Sequence, residues 1–241
     1  MATPPNQPSA LEPEALSRLA GGLAHELKNP LSTLSLHLAL LREEWLDEAG
    51  AKARRSVRTL DTLQTEVGRL NEILEDFLRF ARTDEIDLEK ASLNDLVEEV
   101  VRFIQPEAQS QGVQIETFLD LEQPFLLLDR GRMKQVILNL LINARQALSI
   151  RKSGRITVIT RPDSAAGYGV MLEIVDDGPG MTADTLAQCF DIYYSSKKGG
   201  SGLGLALVRR VVESHGGQVE IQSSPGHGTR VMIRLPRPTS D

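Results

Sequence analysis

Residues Leu23 to Leu41 read LAHELKNPLSTLSLHLALL. Leu27, Leu31, Leu34, Leu38, Leu41 and then Trp45 follow alternating steps of four and three, the spacing of a heptad seam on a helix. A second run is cleaner: Leu60, Leu63, Val67, Leu70, Leu74, Phe77 and Ala81 step three, four, three, four, three, four. Between the two runs, DEAGAKA breaks the pattern and Gly50 offers a turn. Two long helices joined by a short turn predict an antiparallel hairpin. One apolar seam per helix leaves each seam half covered in a lone hairpin. Pairing two hairpins into a four-helix bundle covers the rest, so a homodimer is expected.

Composition bounds what surrounds this hairpin. The chain has 241 residues, room for one large domain or two small ones, and 41% of them are hydrophobic, enough for a buried core. Aromatic content of 4% suits packing by Leu, Val and Ile. A net charge of −6 argues against a nucleic-acid partner. The single cysteine, Cys189, excludes an internal disulfide and fits a reducing compartment. No stretch approaches the ~18 apolar residues of a membrane helix. The opening MATPPNQPSALEPE lacks the basic-then-apolar order of a secretory signal. A cytoplasmic protein without membrane insertion is expected, with residues 1–13 a Pro-rich disordered tail.

The helical hairpin is assigned to residues 14–84 and the polar stretch 85–91 to a linker. A second domain then runs over 92–236, with 237–241 as a tail. In it, Ser92 can cap a helix to about Ser110, with Asp95 in its first turn. VQIETFL, PFLLLD, RITVITR and GVMLEIVDD read as strands, GRMKQVILNLLINARQALSI and SGLGLALVRRVVESHGG as helices. QVEIQSS and GTRVMIRLP close as a hairpin. Helices interleaved with strands that are often hairpin neighbours predict an α+β layer, a mixed sheet with helices on one face.

Four constellations carry chemistry. His25 lies beside Glu26, off the leucine stripe, with Asn29 and Pro30 in the next turn. An exposed imidazole next to a carboxylate is a nucleophile with a proton acceptor, although alone it is an ordinary surface pair. Pro30 removes one backbone donor and frees the carbonyl of Glu26. Asn139 and Asn143, four apart on a helix, share a face and offer oxygens suited to a hard cation such as Mg2+. Asp176, Gly178 and Gly180 end an apolar strand; the acid can accept a hydrogen bond from a purine amino group, and the glycines let backbone approach a ring. Gly200, Gly202 and Gly204 open a helix, where N–H groups can face phosphates. That run follows no strand and lacks Lys-Ser/Thr, so it is neither a dinucleotide fingerprint nor a P-loop.

Each signal alone is ordinary helix or turn chemistry, but their order is not. From Leu16 to Pro236 the chain closely resembles the sensor histidine kinases of two-component signalling. HELKNP resembles their phosphoacceptor box, NLLINA their N box, DDGPG and GSGLGL their two glycine boxes. SSPGHGTRVMIRLP resembles their closing segment, with Gly228 and Thr229. CFDIYYSSKKGGSGLGL is similar to the lids of the nitrogen-regulation-type kinases, with Ile192, Tyr193 and Tyr194 in place of the usual proline and phenylalanines.

The resemblance implies a multidomain fold: a dimeric four-helix bundle for dimerisation and phosphotransfer, then an α/β sandwich of the GHKL ATP-binding type. It implies that His25 accepts the γ-phosphoryl group of ATP and that Glu26 takes a proton from the imidazole. Asn143 becomes the main Mg2+ ligand and Asn139 its assistant. Asp176 reads adenine, with Gly178 and Gly180 lining that pocket. Residues 181–200 form a mobile lid anchored by Phe190, with Lys197 on the γ-phosphate. Gly200, Gly202, Leu203, Gly204 and Thr229 complete the nucleotide site. Asn29 matches the position that orients water for dephosphorylating the partner. The implied partner is a separate response-regulator receiver domain. With about a dozen residues before the hairpin, the signal is expected from a separate sensor protein, from the bundle itself, or from a part of a longer chain. Two rival readings use the same residues: a nucleotide-gated dimeric adaptor that transfers nothing, and a GHKL ATPase that drives a clamp.

Overall fold

The structure is a computed structural model that describes residues 13–46, 50–81, 86–122, 124–149, 153–163, 167–195 and 202–237. In the first helix side chains are described from Leu27 onward, and in the second not at 72, 76 or 79–81. The chain divides into two compact units, one within Met1–Asp84 and one built from Glu85–Ser196 and Gly202–Asp241.

The first unit is the expected hairpin of α1 (Pro13–Leu46) and α2 (Ala51–Ala81). Gly50 turns the chain at a φ of 130°, and its carbonyl accepts the first helical bond of α2, from Arg54 N–H at 3.2 Å. Pro30 lies inside α1, which continues on both sides of it. Lys28 pairs with Glu75 at 3.2 Å and Arg42 with Asp61 at 2.6 Å. Advancing fourteen residues on α1 moves the partner back fourteen on α2, so the two pairs report one antiparallel register. Exposed pairs of this kind add little stability themselves. The seam supplies more, and it splits in two. Leu60 and Val67 are buried and Leu31, Leu38, Trp45 and Leu74 are partly covered, whereas Leu27, Leu34, Leu41, Leu63 and Leu70 remain exposed. One heptad position closes the hairpin and the other faces outward.

The second unit comprises β1 (Glu89–Ala91), α3 (Leu93–Ser110), β2 (Val113–Leu119), β3 (Leu126–Leu128), α4 (Arg130–Leu148), β4 (Gly154–Pro162), β5 (Tyr168–Asp176), α5 (Ala183–Gln188), α6 (Gly204–Ser214), β6 (Gln218–Ser223) and β7 (Thr229–Pro236). Five strands form one sheet in the order β2-β4-β5-β7-β6. Only β2 and β4 run parallel; the other pairs are antiparallel. The mixed sheet expected from the hairpin spacing is therefore present. Alternation assigns its faces. Ile156, Val158, Leu172, Ile174, Val231 and Ile233 are buried in one core with Leu96 of α3, Ile137 and Leu141 of α4, and Val208 and Val212 of α6. On the opposite face Glu173 is 3% exposed, paired with Arg161 and, at 3.3 Å, with Arg230. Side-chain caps start two helices where expected or just beside it, Ser92 accepting from Asp95 N–H and Asp129 from Arg132 N–H. Thr182, accepting from Thr185 N–H, caps α5, a short helix not expected from the sequence within the stretch assigned to a lid.

Two expected boundaries move. Residues 85–91 are not wholly a linker: Glu89–Ala91 is a strand paired antiparallel with Leu126–Leu128, and Ala91 is buried. EKA has no alternation of its own, and its partner lies some forty residues away, so the pairing was invisible locally. Arg237, placed in the tail, donates from Nε to the Tyr168 carbonyl at 3.0 Å and belongs to the fold. Residues 1–12 and 238–241 lie outside the described residues. None of the described helices is long and apolar enough to cross a membrane.

Leu172 is fully buried on the central strand, whereas Phe103 on α3 is 75% exposed. Leu172→Ala should destabilise the second unit by about 2–5 kcal/mol, and Phe103→Ala by no more than about 0.5 kcal/mol. Urea unfolding followed by circular dichroism checks this, with fluorescence of the single tryptophan, Trp45, reporting the hairpin separately.

Candidate functional site

Strand β5 ends in two aspartates with different fates. Asp177 turns back to β4, accepting from Arg155 N–H at 2.8 Å. Asp176 is buried on the helix-facing side, and its Oδ1 accepts from Gly178 N–H at 2.9 Å. A Cβ on Gly178 would lie 2.6 Å from that oxygen and 3.4 Å from Ala147 Cβ on α4, so only glycine keeps the carboxylate clear.

The turn that follows is locked into the β6–β7 loop. Gly180 has a φ of 69°, and a Cβ there would collide with the carbonyl oxygen of Ser224. Gly228 has a φ of 73°, and a Cβ there would collide with the carbonyl oxygen of Asp176. Gly226 N–H donates to Pro179 O at 2.7 Å and Met181 N–H to Ser223 Oγ at 2.9 Å. Ser223 donates in turn to Gly228 O at 2.8 Å and lies 3.1 Å from Thr229 Oγ1. Thr229, buried, is the register partner of Asp176. The predicted Asp176, Gly178, Gly180 and Thr229 thus share one end of the sheet. Ser223 is a member that composition gave no reason to single out.

Helix α4 passes beside this corner. Asn139 and Asn143 are both half-buried, and Asn139 Oδ1 accepts from Gln135 Nε2 at 2.7 Å. Helix α6 starts at Gly204, where a Cβ would stand 3.9 Å from Asn143 Nδ2, in ordinary contact. Its N-cap residue, Leu203, has no side-chain acceptor, so the positive helix end is not self-capped. Asn143 and the start of α6 therefore border the same space. Among the described residues no group of three or more His, Cys, Asp or Glu could hold a metal. An oxygen-seeking cation would draw on asparagine carbonyls and on its own waters or phosphates, as Mg2+ does.

Between α5 and α6, Phe190 lies under the Arg209 guanidinium at 5.7 Å, an anchor consistent with its expected place at the base of a lid. Cys189 is buried, and that burial pushes its thiol up, away from the reactive thiolate. Tyr193 has a φ of 66°, the one positive value among the described non-glycine residues. Its N–H donates to Gly202 O at 3.1 Å, and a Cβ on Gly202 would collide with its backbone. The two residues tie together the ends of the segment between them. Lys197 and Gly200, predicted on phosphate, lie outside the described residues.

On α1, His25 and Glu26 are helical, and their side chains lie outside the described residues, including the expected exposure of the imidazole. Asn29 is exposed, and its carbonyl accepts from Thr33 Oγ1 at 3.1 Å.

The chain matches two family profiles in this order. Residues 15–86 match the His Kinase A (phospho-acceptor) domain. Residues 128–239 match the histidine kinase-, DNA gyrase B-, and HSP90-like ATPase family. Sensor histidine kinase ZraS of Escherichia coli strain K12 is 33% identical over 222 residues, covering 92% of this chain and 46% of ZraS. The chain thus spans about half the length of that curated relative. The structure of full-length ShkA in complex with AMPPNP superposes with a TM-score of 0.71 at 26% identity, over 91% of this chain and 46% of ShkA. Histidine kinase ThkA, solved in complex with the response regulator protein TrrA, shares the fold with a TM-score of 0.63 at 19% identity, over 93% of this chain and 63% of ThkA. Two family domains in series and kinases that align along nearly the whole chain lead to one assignment: this chain belongs to the sensor histidine kinases, with a phospho-acceptor hairpin followed by an ATPase-type unit.

Proposed function

We propose that the chain phosphorylates its own His25 from ATP and passes the phosphoryl group to an aspartate of a separate response regulator. The observation that carries the reading is the meeting of Asn143 on α4 with Gly204 at the start of α6, beside the buried Asp176. That corner offers a cation ligand, a positive helix end and a carboxylate acceptor, the three recognition elements a purine nucleoside triphosphate requires.

In this reading Asp176 accepts from the adenine amino group, with Gly178 and Gly180 clearing space for the ring. The phosphates lie at the start of α6, met by Gly202, Leu203 and Gly204, with Gly200 and Lys197 from the lid and Thr229 supporting the turn. Asn143, helped by Asn139, would hold Mg2+, which supplies charge neutralisation on the phosphates when bound. One imidazole nitrogen of His25 attacks the γ-phosphorus, and the bond to the β–γ bridging oxygen breaks as ADP leaves. Glu26 takes the proton from the other nitrogen. The work of the protein is positioning and electrostatics, since transfer to a nitrogen nucleophile needs no further covalent chemistry. The N–P bond formed is high in energy and suits onward transfer to a receiver carboxylate. Asn29, exposed four residues past His25, suits orientation of water for removing that group again. The outward half of the leucine seam supports a homodimer through the bundle. A separate sensor protein is one source of the signal, and a reducing, cytoplasmic setting is consistent with the buried free thiol of Cys189.

Incubation with γ-labelled ATP and Mg2+ should give an acid-labile, alkali-stable label that His25→Gln abolishes. No label on the unaltered chain, or label that survives the substitution, rejects kinase chemistry at this residue; nucleotide binding without label favours the adaptor. Gly204→Ala should fold with an unchanged melting temperature, because the added methyl meets only Asn143 at 3.9 Å. Yet it fills the space between helix end and asparagine, so nucleotide affinity by calorimetry should fall at least about tenfold, some 1.4 kcal/mol. In sedimentation at micromolar concentration the unaltered chain should be a dimer, and Leu34→Glu combined with Leu63→Glu should be a monomer.

A further inference from the structure

One buried titratable group has no part in this scheme. His215, at the C-cap of α6, is 5% exposed. Its Nδ1 lies 2.8 Å from the Val211 carbonyl oxygen, which can only accept, so Nδ1 carries a proton. Its Nε2 accepts the backbone N–H of Asp129 at 3.0 Å. The two bonds together specify a neutral imidazole, since a proton on Nε2 would set N–H against N–H. Burial pushes the imidazole below its ordinary value and Arg132 acts in the same direction, while the Val211 carbonyl and Asp129 oppose them.

The donor to His215 is itself a junction. Asp129 caps α4, with Oδ1 accepting from Arg132 N–H at 3.0 Å. Its Oδ2 lies 3.2 Å from Arg132 Nε and accepts from Asp87 N–H at 3.4 Å, and its carbonyl accepts from Met133 N–H at 2.9 Å. Asp129 therefore joins α4, α6 and the segment leading into β1. Helix α6 approaches α4 at both ends: a Cβ on Gly204 would lie 3.9 Å from Asn143 Nδ2, and His215 accepts from Asp129 N–H. At about 1.5 Å per residue, His215 stands about 16 Å along the helix from Gly204. The exit of α6 is tight as well, because a Cβ on Gly217 would lie 2.6 Å from the Arg234 carbonyl oxygen on β7.

We propose that His215 is a positioning residue for the nucleotide: its neutral imidazole pins the far end of α6 to the N-cap of α4 and so fixes where Gly204 lies against Asn143. The inference rests on the reading of that corner as the nucleotide site. A helix of eleven residues moves as a rod. Removing the imidazole strands the Asp129 N–H and releases the hydrogen bond that registers the end of α6 on the start of α4, leaving the non-directional packing of Val208 and Val212 to hold the helix. The start of α6 and the asparagine then no longer present phosphate donors and cation ligand at one spacing. The loss falls on binding, since neither His25 nor Glu26 belongs to this junction.

The test compares the full chain with His215→Leu and His215→Gln. Glutamine can replace both bonds, its amide oxygen accepting and its NH2 donating; leucine can replace neither. Binding of a fluorescent ADP analogue with Mg2+, and KM and kcat of His25 labelling, are measured for each. His215→Leu should raise Kd and KM about fivefold or more with kcat at saturation close to unaltered, and His215→Gln should restore both constants to within about twofold. An unchanged KM in His215→Leu, or a fall in kcat alone, overturns the inference. Should the leucine variant lose its helix content, His215→Asn decides the matter: its shorter amide cannot span both bonds, so Kd and KM should rise as expected for leucine, and constants within about twofold of the unaltered chain overturn the proposal. An unaltered chain that binds no nucleotide removes the site itself, a result distinct from a failure at His215.

Discussion

Two backbone-to-backbone approaches hold the second unit's working corner together. At Gly180 the chain passes against the Ser224 carbonyl, and at Gly228 it passes against the Asp176 carbonyl, each too close for any Cβ. Both glycines also hold left-handed backbone that most residues adopt only with strain. These contacts interlock the turn after β5 with the loop between β6 and β7. With the turn fixed, Asp176 is buried at a defined height above α4, and Ser223 can bridge the two segments. The chemistry of the corner follows from this geometry. A carboxylate held by Gly178 N–H, a helix face with two asparagines and the start of α6 converge because the backbone leaves no side chains in their way.

Much of this was legible in the residues, for reasons that differ along the chain. The hairpin was readable because a heptad is a long signal, and the register reported by Lys28–Glu75 and Arg42–Asp61 agrees with it. The strands past Val113 were legible from their residue pattern and glycine turns, but their order in the sheet, and the separation of Leu126–Leu128 from it, were not. The candidate site residues were singled out through their order, since each motif alone was ordinary turn or helix chemistry. What stayed hidden depends on distance in sequence. Strand β1 takes its identity from Leu126–Leu128, and Arg237 from Tyr168. His215 read as part of a helix stop because the preceding valines and following glycines explain the local pattern; its partner, Asp129, lies far back in the chain. Tyr193 gave no sign of its left-handed backbone, and its hydrogen-bond partner, Gly202, lies nine residues on in the chain.

The two units obey different rules of stability. The second buries a continuous core of strands and helices and satisfies its turns internally. The hairpin buries only alternate members of its seam, and five leucines of that seam face outward. Its helices bring few charges together, and those exposed pairs contribute little. An element with that much apolar surface in water gains its order from whatever covers it.

Glu173 carries an implication for how the sequence can drift. It stands on β5 with Arg161 reaching it from β4 and Arg230 from β7, strands that do not touch one another. Stripped of one cation the buried carboxylate keeps a partner on one side only, stripped of both it becomes an uncompensated charge, and an arginine without the acid gains nothing by lying there. Positions 161, 173 and 230 are therefore epistatic: a change tolerated at one depends on what occupies the other two, and viable histories through this face pass by coordinated replacement.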